Sequence, residues 1–169
     1  MIARLVGLGV LAGMPFVAVA QGLSGLDSSQ PIEITADQLE VVQGERLATF
    51  SGNVDAVQGE MVLRADQLRV HYGDDGGQTA SASSVRLIEA EGNVVLTAPG
   101  DSAKGRRGTY DVEQGRITLE EEVVLTSGDN VIRGDRLDYD VTSGKAVVRA
   151  GGAGAPGRVR ALFVPEESG

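Results

Sequence analysis

Cysteine and tryptophan are absent from this 169-residue chain, histidine occurs once (His71), and Phe and Tyr occur three times each. Without cysteine there can be no disulfide framework, thiolate zinc site or cysteine nucleophile. A single imidazole leaves a His-centred triad or a histidine metal cage without raw material. Basic side chains are also scarce: 15 Lys and Arg face 24 Asp and Glu, for a net charge of −9. That balance opposes an electrostatic grip on nucleic-acid phosphates or on an anionic membrane, so no nucleic-acid partner is expected. The inventory is poor for enzymology, and no metal or cofactor is expected.

What is present begins with an export signal. Arg4 precedes an apolar run from Leu5 to Val19, and the segment closes on Ala18-Val19-Ala20, the small-x-small pattern read by a signal peptidase. The alternative is an uncleaved anchor, but the run is 15 residues long with Pro15 inside it, against the roughly 20 apolar residues of a spanning helix. Cleavage after Ala20 leaves 149 residues with 14 basic and 24 acidic side chains. Residues 21–30 read as a flexible lead, 31–149 as the folded body, and 150–169 as a disordered Gly-, Ala- and Pro-containing tail, with Val159 to Val164 as its one candidate for order.

From Ile32 to Arg149 apolar and polar residues alternate with period 2, and no run has helical period, so the body is all-β. Turn signals at Gly44, Gly52-Asn53, Gly59, Gly92-Asn93, Gly100, Gly115, Gly128 and Gly144 cut it into strands. Self-comparison reveals a repeat of 29 residues. Ala36-Asp37-Gln38-Leu39 returns as Ala65-Asp66-Gln67-Leu68 and, in altered form, as Gly134-Asp135-Arg136-Leu137 and Gly105-Arg106-Arg107-Gly108. Gly52-Asn53-Val54 returns as Gly92-Asn93-Val94 and, degraded, as Glu121-Glu122-Val123. Both series are interrupted by the same insertion of 11 residues, placed in the polar stretch from Gly73 to Ser84.

In Ala-Asp-x-Leu, the Ala and Leu stand three apart. Both can face one side only if the strand bends or bulges at the Asp, which makes Asp37, Asp66 and Asp135 corner residues bonding local backbone rather than acids or bases. A bend repeated in register folds the sheet into a two-walled trough. Taking the large apolar member of each alternation as inward gives a lining of Ile32, Ile34, Leu39, Val41, Phe50, Val54, Leu63, Leu68 and Val70. The second half adds Ile88, Leu96, Tyr110, Val112, Ile117, Leu119, Leu125, Ile132, Leu137, Tyr139 and Val141. With few aromatics to fill a wide interior, the walls either close on each other or leave room for an apolar guest.

The order and spacing of Pro31 to Glu40, Ala48 to Val54, Gln58 to Val70, Ala90 to Thr97, Gly108 to Val112 and Ile132 to Tyr139 resemble the LptA/OstA family of lipopolysaccharide-transport proteins over about Pro31 to Val148. The resemblance implies a V-shaped antiparallel β-jellyroll with no enzymatic activity. It implies a periplasmic carrier of the Gram-negative envelope that takes lipopolysaccharide from LptC, stacks head to tail, and passes the lipid toward LptD for outer-membrane assembly. On this reading Ile32, Ile34, Leu39, Phe50, Val54, Leu63, Leu68, Val70, Tyr110, Val112, Leu119, Leu125, Leu137 and Tyr139 contact acyl chains. The unblocked edge strands Ile32-Glu33-Ile34-Thr35 and Ala146-Val147-Val148 dock partners. Arg106-Arg107 is a candidate for a lipid phosphate. A structural β-repeat adaptor with a sealed core, or an LptC-like anchored protein, are the competing readings. Asp74-Asp75-Gly76-Gly77, His71 and Ser102-x-Lys104 lack the companions that calcium, metal or Ser/Lys chemistry needs.

Overall fold

The computed structural model describes residues 30–73, 85–151 and 157–165. The expected export signal at 1–20, residues 21–29 of the lead and all of the insertion beyond Gly73 lie outside the described residues. Ten strands follow in order: β1 (Ile32–Thr35), β2 (Gln38–Val42), β3 (Leu47–Gln58), β4 (Met61–Tyr72), β5 (Val85–Ala98), β6 (Asp101–Asp111), β7 (Arg116–Ser127), β8 (Asn130–Asp140), β9 (Lys145–Arg149) and β10 (Arg160–Leu162). One 3-10 turn, Gln43–Glu45, joins β2 to β3. Every pairing is antiparallel, and β3 to β8 form a meander of neighbouring strands.

Alternation of apolar and polar residues explains the strands, and the repeat explains their bend. Register shifts fall at Ser51/Val54, Arg64/Gln67, Glu91/Val94, Lys104/Arg107 and Glu120/Val123, one opposite the next across the sheet. Each long strand therefore serves two walls. The first wall runs from β2 to β9; the second runs from β1 to β10, because β1 and β2 pair with opposite halves of β3, and β10 and β9 with opposite halves of β8. Inward residues line up in rows. Leu39, Phe50, Leu68, Ala90, Gly108, Leu119, Leu137 and Val148 form one such row in the first wall, by successive cross-strand pairing.

At the bend the corner chemistry is legible atom by atom. Gly52 and Asn53 (φ 79° and 46°), like Gly92 and Asn93 (φ 75° and 47°), adopt left-handed conformations. The backbone N–H of Asp37 donates to the Gly52 carbonyl at 2.9 Å. The Asn53 amide donates to Asp37 at 2.8 Å, and the Asn93 amide to Asp66 at 2.9 Å. Asp135 accepts the backbone N–H of Gly151. Asp37 and Asp66 thus bond an asparagine of the facing strand, and Asp135 the backbone just beyond β9, not the local backbone expected from the sequence. A third corner departs from the pattern: Glu121 and Glu122 hold left-handed φ of 64° and 58°, and Arg107 and Arg106 pair with them respectively.

The core sits along the inside of the bend. Val54, Val94 and Val123 at the corners, with Leu68, Leu119 and Leu137 one row away, are fully buried. Leu39 and Val41 are on the inward face, as expected, but among the described residues β2 pairs only with β3 and forms an edge, so they remain 54% and 50% exposed. Within the tail, the stretch Val159 to Val164 singled out as the candidate for order contains β10, which pairs through Arg160, Ala161 and Leu162 with Arg133, Ile132 and Val131. The physical reason is that β8 would otherwise leave open ladder groups along the second wall.

Candidate functional site: an apolar cleft between two walls

Away from the bend, a cleft of about 60 Å³ opens between the walls. The second wall contributes Ile32, Ala56, Met61, Leu63 and Leu96; the first contributes Ile88, Ala90, Gly108, Tyr110, Ile117 and Leu119. Gln58 and Thr109 are its polar neighbours. Residues distant in the sheet meet here because folding the sheet brings its two halves face to face. The lining carries no carboxylate, and among the described residues no group of His, Asp and Glu could hold a metal ion.

Of the residues expected to contact lipid, Ile32, Leu63, Tyr110 and Leu119 line this cleft. Val54, Leu68, Val70, Leu137 and Tyr139 are buried in the continuous core, and Ile34, Phe50 and Leu125 pack half-buried against it. Leu39 is exposed, as described, and Val112 follows the end of β6 and stands outside the core cluster. The interior is therefore filled along the bend, and the cleft lies above it. Sequence reasoning missed Ala56, Ala90 and Gly108, because a lining defined by large apolar residues overlooks small ones, and it missed Met61 although Met61 stands two residues before Leu63 on the same face. Continuing the inward alternation from Leu68 across the strand pairs would have found Ala90 and Gly108.

Burial raises the Tyr110 hydroxyl above its ordinary value, and Tyr139 is raised by burial and then by Asp101 and Asp140. The outer faces carry charge instead. Asp138 is held below the usual carboxylate range first by the hydrogen bond from Arg136, and the Arg149 guanidinium also pairs with it. Asp140 is lowered by the backbone N–H of Ser143 at 2.8 Å and the Ser143 hydroxyl. Arg106 and Arg107 sit at the bend, bound to Glu122 and Glu121. They do not stand free at the rim, as a phosphate contact there would require.

The edge strands form a second feature. Exposed large apolar residues concentrate on them: Leu39, Val41 and Val42 on β2, and Val159, Leu162, Phe163 and Val164 around β10. The expected docking segments Ile32 to Thr35 and Ala146 to Val148 occupy β1 and β9, outermost in the second and first wall respectively.

A bent antiparallel sheet with an apolar interior, paired charges outside and open edges defines a β-jellyroll binding module. Residues 33–145 match the model of the family described as LptA/(LptD N-terminal domain) LPS transport protein, and the chain belongs to that family. It is 36% identical over 101 residues to an uncharacterized protein of Rhizobium meliloti, covering 59% of this chain and 54% of that one. It is 32% identical over 91 residues to the LPS-assembly protein LptD of Vibrio cholerae, covering 54% of this chain and 10% of that one. The chain thus spans about half the length of the first relative and a tenth of the second. The crystal structure of LptH, the LptA-homologous periplasmic component of the lipopolysaccharide transport device of Pseudomonas aeruginosa, superposes with a TM-score of 0.70 at 20% identity. The match covers 82% of this chain and 99% of that one. The fold is the LptA-like β-jellyroll, and the family is one of lipopolysaccharide transport.

Proposed function

We propose that this protein is an exported periplasmic carrier that shelters the acyl chains of lipopolysaccharide between its walls. It receives the lipid from an LptC-like partner and hands it toward an LptD-like one. The observation that carries this reading is the common cleft lined by both walls. Each sheltered methylene is worth about 0.8 kcal/mol, so a twelve-carbon chain gains on the order of 10 kcal/mol. The cleft as it stands is small: a cavity of about 150 Å³ accommodates benzene, so about 60 Å³ holds only a chain end. Loading a whole chain requires the walls to part at their free ends, with the bend as hinge. A carrier that closes when empty avoids exposing grease to water.

Edge direction supports head-to-tail stacking. Strand direction alternates from β2 through to β9, and from β1 through to β10, so each wall begins and ends on strands of opposite direction. A second copy, or a relative of the same fold, can add antiparallel on both walls at once. Placing Val148 against the next copy's Leu39, and Ala146 against its Val41, keeps the inward rows in line and covers the exposed face of β2. The two ends differ, so the contact is heterologous and propagates as an open row.

The competing reading, an adaptor with a sealed core, draws support from the filled interior along the bend. A photo-crosslinker placed at Leu63 or Tyr110 separates the two. It captures lipopolysaccharide on the carrier reading, while one at outward Arg69 does not; equal labelling of both faces refutes the groove.

A further inference from the structure

The cleft exists where side chains shrink. In the first wall's inward row the fully buried Leu68 and Leu119 flank Ala90 and Gly108, which pair with each other across β5 and β6. Across the gap the second wall presents Ala56, paired with Leu63. A Cβ at Gly108 would lie 3.0 Å from Leu119 Cδ2, 3.2 Å from Val94 Cγ1 and 3.7 Å from the Ala90 Cβ, so large neighbours already lean over the glycine and close the cleft from below. The vacancy is built by residue size and has a floor. Its lining, apart from Gln58, Thr109 and the Tyr110 hydroxyl, is apolar, and it is continuous with the apolar interior of both walls.

We infer that Ala56, Ala90 and Gly108 form a seat for the end of a single unbranched hydrocarbon chain, and that their size sets how deep a chain can enter. The inference rests on the carrier reading and adds to it the residues that select the guest. The occupant is a chain end because the volume admits a few carbons and the lining is mostly apolar and holds no charged side chain to pair with an ionic group. A seat of this kind measures length: a chain that reaches the floor excludes water along its whole course, and one that stops short leaves a void beneath it.

Purified protein is titrated with fluorescent dodecanoic and tetradecanoic acids and, separately, with lipopolysaccharide by native mass spectrometry. Ala90→Leu and Ala56→Leu push an isobutyl group into the seat and are expected to weaken all three ligands at least tenfold while the melting transition stays cooperative. Leu96→Ala widens the cleft and is expected to shift preference toward the longer acid. Binding by both filled variants within twofold of the parent overturns the seat, although the parent's own binding leaves the carrier reading intact. If the filled variants do not fold, Ala56→Val and Leu96→Ala decide: unchanged chain-length preference in both overturns the inference. A parent protein that captures none of the probes refutes the carrier reading itself.

Discussion

Glycine and asparagine at the bend solve a problem that two glutamates solve less well. Gly92 has φ 75°, and an added Cβ would run into the Asp66 carboxylate, so Gly92→Ala suffers both backbone strain and collision. A loss of about 2 kcal/mol is expected in denaturant unfolding. Part of it returns in the Gly92→Ala/Asp66→Ala double variant, because the two residues touch. The third corner should respond with the opposite sign. Left-handed φ costs a non-glycine residue about 1–2 kcal/mol, whereas the Arg107–Glu121 and Arg106–Glu122 pairs are solvent-exposed and contribute little. Restoring the pattern of the other corners with Glu121→Gly/Glu122→Asn is therefore expected to stabilise the protein by about 1 kcal/mol, read as a higher denaturation midpoint at unchanged slope.

Titration at the residue scale gives two limbs. Asp138 and Asp140 are depressed by Arg136 and Ser143 respectively. They add stability that is fully present above the ordinary carboxylate pKa of about 4 and is lost as pH falls through their lower folded values. Tyr110 is raised by burial, so its contribution is complete below about pH 10 and is lost as pH rises through the folded value. Melting temperature against pH should fall at both ends. Asp138→Asn should flatten the acid limb, and Tyr110→Phe the alkaline limb; a limb unchanged by its variant contradicts the assignment.

Among the elements, β10 tests the role of the tail. Ala161→Pro deletes the backbone N–H at the centre of this three-residue edge strand, opposite Ile132, and takes away either a bond to β8 or one offered to a docking strand. The fold should survive, because the buried core draws on none of β10. Light scattering on the variant should show shorter oligomers at a concentration where the parent forms rows; unchanged oligomers would remove β10 from the docking edge. This element was also the least legible one. Arg160-Ala161-Leu162 is too short to show alternation, so the sequence marked Val159 to Val164 as a candidate for order but could not say which strand it joins. The bend, by contrast, was fully legible, since Ala65-Asp66-Gln67-Leu68 forces its two apolar members onto one face. Alternation assigned Leu39 to the correct face but could not reveal that no strand covers it. Small inward residues such as Ala90 stayed hidden because nothing in their own chemistry distinguishes a floor from filler.

For the molecule as a whole, one sheet folded along a row of corners gives two walls that are fused on one side and joined on the other only by side-chain contact. That arrangement makes separation of the free ends the natural motion. The fused side keeps Val54, Val94 and Val123 dry throughout, and the outer ion pairs stay on the solvent faces whichever state the walls adopt. The absence of cysteine makes this motion directly measurable, since any introduced thiol is unique. Spin labels at Gln114, at a tip of the first wall, and Asp129, at a tip of the second, report the width of the mouth; both positions are exposed. A second pair, Gln114 with Thr142, lies within the first wall. On adding lipopolysaccharide, the distance between Gln114 and Asp129 is expected to lengthen while that between Gln114 and Thr142 stays constant. An unchanged mouth in a protein that has bound the lipid would contradict an interior that opens to admit acyl chains.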